Sequence, residues 1–223
     1  MNWNDLVGDW HKFLLPILKT NYFMALLEHL TEKYSSGAVL FPKSTEIFEP
    51  FRLCPFEKLK VVIIGEQPYR DGKATGLPFA NRQTEKDLSP ALFRISEAVK
   101  KTVYDNYYYP FDKTLKVWVE QGVLLLNGAL THEEGALNSH IPYWNPFIRS
   151  LLIKLNDEYP GLIYMLWGTT AVNFSEFISN PKNHIMKATN PCVSLTIGEP
   201  WDCDHFMDAN SILIEEKQYW ISW

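Results

Sequence analysis

Short apolar runs interrupt the chain at 61–64 (VVII), 123–126 (VLLL) and 163–167 (IYMLW). Runs of this length, rich in branched residues and followed by glycine or asparagine, predict strands buried on both faces. A weaker run at 184–188 (HIMKA) predicts a fourth strand. Between these runs the apolar residues move to helical spacing. Leu92, Ile95 and Val99 follow Ser89-Pro90, a plausible helix start, and Phe147, Ile148, Leu151, Leu152 and Leu155 follow Pro146. Ala209, Ile212 and Leu213 mark a last amphipathic stretch. The first third reads as helix through Leu14, Ile17, Leu18, Met24, Leu27 and Leu30, with Pro16 and Asn21 expected to break or restart it.

Strands that alternate with helices of about three turns predict a parallel sheet covered on both faces. In such sheets a site lies just past the carboxyl ends of the strands. That rule selects four stretches, 65–70, 127–131, 168–171 and 189–194, all containing small or polar residues. No repeat or long linker divides the chain, so 1–223 is expected to be one domain.

Composition narrows this picture a little. Charged residues make up 21%, an ordinary globular balance, and no apolar run approaches the ~20 residues that span a bilayer. A soluble, intracellular monomer, cytoplasmic or nucleoid-associated, is expected. Cys54, Cys192 and Cys203 show no CxxC spacing, so free thiols are the simplest reading and neither a metal nor another cofactor is implied. His205 has no second ligand at suitable spacing and is expected to order a loop. The formal charge of −5 counts against tight nonspecific duplex binding, which usually relies on a basic face.

With the four stretches in hand, the sequence resembles the uracil-DNA glycosylase family. VVIIGEQPYR stands where that family has a strand followed by Gly-Gln-Asp-Pro-Tyr-His. ATGLPFAN, LSPAL, QGVLLLNGALT, NSHIPYWNPF, YMLWGTT and DCDHF each resemble a family segment, in family order. The resemblance implies a three-layer α/β/α sandwich around a mostly parallel four-stranded sheet. It also implies base flipping, because a base cannot be attacked inside the stack. By position, Phe79 would stack on the pyrimidine, Asn127 would read its O4 and N3 edge, and Tyr69 would stand against C5. Ser89, Gly168, Thr169 and Ser194 would lie in loops that grip phosphates, with His140 assisting. The wedge that fills the vacated stack would be Ser194 or, shifted by one, Leu195.

Two departures fall on the chemistry. Gln67 replaces the family aspartate that places water and offsets the sugar cation. Asn190, in Asn190-Pro191-Cys192-Val193, replaces the family histidine that stabilises the departing O2. Losing one such partner typically costs a hundredfold or more in rate, roughly 3 kcal/mol. The mismatch-specific uracil/thymine branch resembles this pairing, with an amide at the first position and Asn-Pro-Ser-Gly at the second. Gly-Glu-Gln-Pro is similar to the first motif of the iron–sulfur branch, in which the glutamate takes part in chemistry. Glu66 is therefore either the displaced catalytic carboxylate or a solvated rim residue, and Gln67 either places water or bonds the loop backbone. Arg70 either meets a phosphate or pairs with an acid such as Asp71. The run Tyr107-Tyr108-Tyr109 is expected to be packing or loop surface.

The expected activity is release of uracil or a related pyrimidine from single-stranded or duplex DNA. A large 5-substituent is disfavoured by Tyr69. The alternative is an inactive homologue that binds DNA or a protein, such as a replication protein or a glycosylase inhibitor.

Overall fold

The computed structural model describes residues 3–223, apart from the side chain of Leu195. Its strands are β1 (Leu40–Phe41), β2 (Val61–Gly65), β3 (Val123–Asn127), β4 (His132–Glu133), β5 (Ile163–Trp167) and β6 (His184–Ala188). The helices are α1 (Trp3–Val7), α2 (His11–Leu18), α3 (Asn21–Ser35), α4 (Glu49–Leu53), α5 (Pro90–Thr102), α6 (Lys116–Glu120), α7 (Ile141–Glu158), α8 (Thr169–Asn173), α9 (Pro191–Ile197) and α10 (His205–Glu215).

The main sheet is parallel throughout, in the order β3-β2-β5-β6. Every residue of β2, β3 and β5 is buried, as continuous apolar runs demand when helices cover both faces. β6 alternates half-buried with exposed positions and forms an edge. Two aromatic clusters flank the sheet. One gathers Trp10, Phe13, Phe51 and Phe56, and the other gathers Trp118, Trp167, Phe206 and Trp223. Such T-shaped and tilted pairs add roughly 0.5–1.5 kcal/mol each beyond the area they bury.

Three readings of the pattern are corrected. Pro16 does not break α2, because it faces solvent, where the carbonyl it leaves unpaired can be hydrated. α7 begins at Ile141 rather than after Pro146, which falls in its second turn. The core face of α3 is Phe23, Leu26 and Leu30, with Met24 turned to solvent. Asn21 does restart the helix, with Thr20 in extended conformation before it.

β2 is the switch point of the sheet: β3 lies on one side and β5 on the other. Register then aligns the strand ends. Gly65 pairs with Asn127 and Trp167 with Ala188, so Glu66, Asn127, Gly168 and Asn190 follow along one edge of the sheet. Of the four stretches selected as loops, two are helix starts: α8 opens at Thr169 and α9 at Pro191.

Candidate active site

A cavity of about 290 Å³ opens over the end of β2, bounded by 66–70, Ala74, 76–79, Ala91, Asn127, Asn190, Cys192, Val193 and Thr196. Phe79 reaches it from the long connection between β2 and α5, at a φ of 66°. A bulky residue holds that left-handed conformation only where its surroundings enforce it. Here they do. The Tyr69 hydroxyl donates to the Phe79 carbonyl at 2.8 Å, and the ring of Phe79 packs against Trp167 at 5.3 Å.

Asn127 ends β3, is 4% exposed, and its carboxamide has no hydrogen-bond partner among the described residues. Buried amides are normally satisfied, so this one is available to a ligand. Gly65 permits the arrangement. A Cβ there would lie 2.7 Å from Phe79 Cζ and 2.8 Å from Asn127 Oδ1.

Tyr69 is held at both sides of its oxygen. Its proton goes to Phe79, so the Ser89 hydroxyl, 2.6 Å away, donates to it. Ser89 Oγ also accepts from the Leu92 amide as the N-cap of α5. Burial pushes the Tyr69 phenol above its ordinary pKa, which keeps it neutral and donating.

The opposite wall carries the charge. Glu66 Oε2 accepts from Asn190 Nδ2 at 2.9 Å, while Asn190 Oδ1 accepts from the Cys192 amide at 2.9 Å. Both ends of the Asn190 amide are thereby oriented, and one N–H remains for another acceptor. Gly168, with a φ of 98°, makes room for the carboxylate, since a Cβ there would lie 2.9 Å from Glu66 Oε1. Gln67 lines the cavity, half-buried, with no side-chain hydrogen bond among the described residues. Cys192, on the same wall, has its thiol pKa raised by burial and by Glu66, with Arg70 acting the other way. Asp71 pairs with Lys73 at 3.5 Å, which leaves Arg70 exposed at the rim without an ion pair among the described residues.

This architecture has close counterparts among known proteins. Residues 51–213 match the family described as the uracil DNA glycosylase superfamily. The chain belongs to that superfamily. Uracil-DNA glycosylase of Dichelobacter nodosus is 35% identical over 217 residues, covering 96% of this chain and 93% of that one. The Proteus mirabilis enzyme of the same name is 31% identical, covering 96% and 95%. Among solved structures, mimivirus uracil-DNA glycosylase superposes with a TM-score of 0.87 at 22% identity, covering all of this chain and 89% of the other. At that identity the superposition speaks for the fold alone.

Placed on the superfamily fold, the expected site residues divide. Glu66, Gln67, Tyr69, Phe79, Asn127 and Asn190 meet at the cavity. Thr169 is exposed beside buried Gly168 on an adjoining groove. Ser89 lies behind Tyr69 with its hydroxyl already engaged. Two further expected residues do not line the cavity. Ser194 is 5% exposed and donates to the Pro191 carbonyl, so its side chain is turned inward. His140 is 2% exposed and away from the cavity, with its Nδ1 2.7 Å from Thr131 Oγ1 and its ring beside His29. Leu195 belongs to α9, but its side chain lies outside the described residues. His205 accepts a hydrogen bond from the Trp167 indole, an ordering contact. Tyr109 stacks on Tyr104, whereas Tyr107 and Tyr108 are exposed.

Sequence reasoning gave no individual role to Gly65, Ala91 or Val193, although all three fall in segments it singled out. Gly65 carried a signal, as a glycine inside a strand marks close approach. Ala91 and Val193 carried none.

Proposed function

We propose that this chain is a DNA N-glycosylase that releases uracil, or a related pyrimidine, by hydrolysing the bond between base and deoxyribose. The observation that carries this reading is the buried, unpartnered Asn127 amide facing a cavity walled by the Phe79 ring. The full-length similarity to proteins named uracil-DNA glycosylase supports it.

In this mechanism the nucleotide flips out of the stack and its base enters between Phe79 and the strand ends. The Asn127 amide donates to O4 and accepts from N3–H. Tyr69, held by Phe79 and Ser89, faces C5 and leaves no room for a large substituent. As the C1′–N1 bond breaks, its electron pair passes to the base, and the free N–H of Asn190 donates to the O2 that becomes negative. The Glu66 carboxylate offsets positive charge on the sugar and takes the proton of the attacking water, which Gln67 holds by hydrogen bonding. A neutral amide cannot supply that charge, so Glu66 is the group that replaces the family aspartate.

The second reading is a homologue that binds flipped bases, or a protein partner, without chemistry. Neutral Gln67 and Asn190, together with the charge of −5, favour it. Base release from uracil-containing DNA separates the two. The enzyme reading expects release by the native chain and its loss in Asn127→Ala, with an unchanged thermal unfolding midpoint. Equal release by that variant would exclude the proposed base contact.

A further inference from the structure

Between Phe79 and Ser89 the chain has no strand or helix, yet both ends must hold the Tyr69 hydroxyl to within hydrogen-bond distance. One side chain braces this connection. Asn81 is 2% exposed, and both ends of its side-chain amide and its backbone N–H are engaged. Its Oδ1 accepts from the Ser89 amide at 3.1 Å. Its Nδ2 donates to Glu85 Oε2 at 3.0 Å and to the Asp87 carbonyl at 2.8 Å, and its own amide donates to the Lys113 carbonyl at 2.9 Å. Glu85 returns to the same end of the loop by accepting from the Arg82 amide at 3.0 Å. Arg82 in turn forks onto Glu46, at 2.8 and 2.9 Å, and onto the Ala74 carbonyl.

We propose that Asn81 is a positioning residue that fixes the separation of Phe79 and Ser89, and so the placement of Tyr69 at the cavity. This rests on the reading of that cavity as a base pocket only for its consequence in catalysis. The geometric claim stands on the hydrogen bonds. Asn81 touches no part of the cavity, so it acts through other residues. Without it, the Ser89 amide loses its acceptor, and Ser89 is held only by the Leu92 and Phe93 amides of α5. The Tyr69 phenol then loses its second partner while staying buried, a state that costs free energy and favours movement.

The test uses the full chain with 3-fluorotyrosine at position 69, read by fluorine NMR. The native chain is expected to give one narrow line from that ring. Asn81→Val should broaden or split it, because the ring then samples more than one placement. Glu85→Ala removes one partner of Asn81 but leaves its bonds to Ser89 and Asp87, so it should keep a single line. A line unchanged by Asn81→Val overturns the proposal, and so does equal broadening by Glu85→Ala. If Asn81→Val does not fold, Asn81→Ala takes its place with the same expectations. A parallel assay of uracil release separates this result from the functional reading. Asn81→Val is expected to lower kcat about tenfold at similar KM, as misplacement of a positioning group does. A native chain that releases no base would defeat the proposed function and leave the fluorine result as the test of Asn81.

Discussion

The two walls of the cavity are built in different ways. On the Tyr69–Phe79 side, each polar group is tied to another part of the chain, down to the Ser89 cap and the Asn81 brace. On the Glu66–Asn190 side, a single side-chain bond joins the two groups across the sheet edge, and Gln67 has no side-chain hydrogen bond among the described residues. Recognition of a flat base needs fixed surfaces at fixed spacing, whereas the reacting bond needs charge in the right place. In the proposed mechanism the first wall reads the base, and the second supplies its carboxylate from Glu66.

The comparison is most severely stressed at Gly65, on which Phe79 and Asn127 both close. Gly65→Ala puts a methyl group 2.7 Å from the Phe79 ring and 2.8 Å from Asn127 Oδ1, both inside contact distance. Binding of free uracil, measured by calorimetry, should fall about a hundredfold or more, the scale on which one group misplaced by an ångström acts. Unchanged binding would mean that neither residue touches the base. A smaller effect sharpens the other wall. Gln67→Asp should raise uracil release about tenfold at neutral pH by adding a second carboxylate near the sugar, while uracil binding stays the same. A fall in release would show that Glu66 and a neighbouring charge repel each other more than they help.

The smallest effect lies outside both walls and serves as a control for stability. Burial first, and then His29, push His140 down to about 4, with Lys33 and His132 adding to the shift and Glu133 opposing it. The unfolded chain protonates this residue near its ordinary value, about 6.5. Between those values the unfolded state binds more protons, so stability is full above pH 6.5 and is lost as pH falls toward 4. His140→Gln should flatten part of that dependence in denaturant titrations without changing uracil binding at pH 7.

The strands were legible because β2, β3 and β5 are apolar apart from Gly65 and Asn127 at their ends, a pattern that few other elements produce. Pro146 misled because a proline in the second turn of a helix can leave its unpaired carbonyl to solvent, which residue type alone does not reveal. The six residues at the cavity were legible because each sits at or just past a strand end, or in a segment with a family counterpart. Ser194 was not, because α9 starts at Pro191 and its periodicity turns that residue inward. Asn81 lies in the ATGLPFAN segment but gave no signal of its own. Its role depends on Ser89, eight residues on, and on Lys113, which is brought near only by the fold.

The most direct test of the account is base release from single-stranded and duplex DNA carrying one uracil, read as alkali-labile strand cleavage, for the native chain and Glu66→Gln. The glutamine keeps the shape and can still bond to Asn190, so only the charge is removed. Release by the native chain that falls about a hundredfold or more in Glu66→Gln is the expected result. Equal release by both proteins would contradict it, and would return the catalytic role to Gln67 and Asn190 alone.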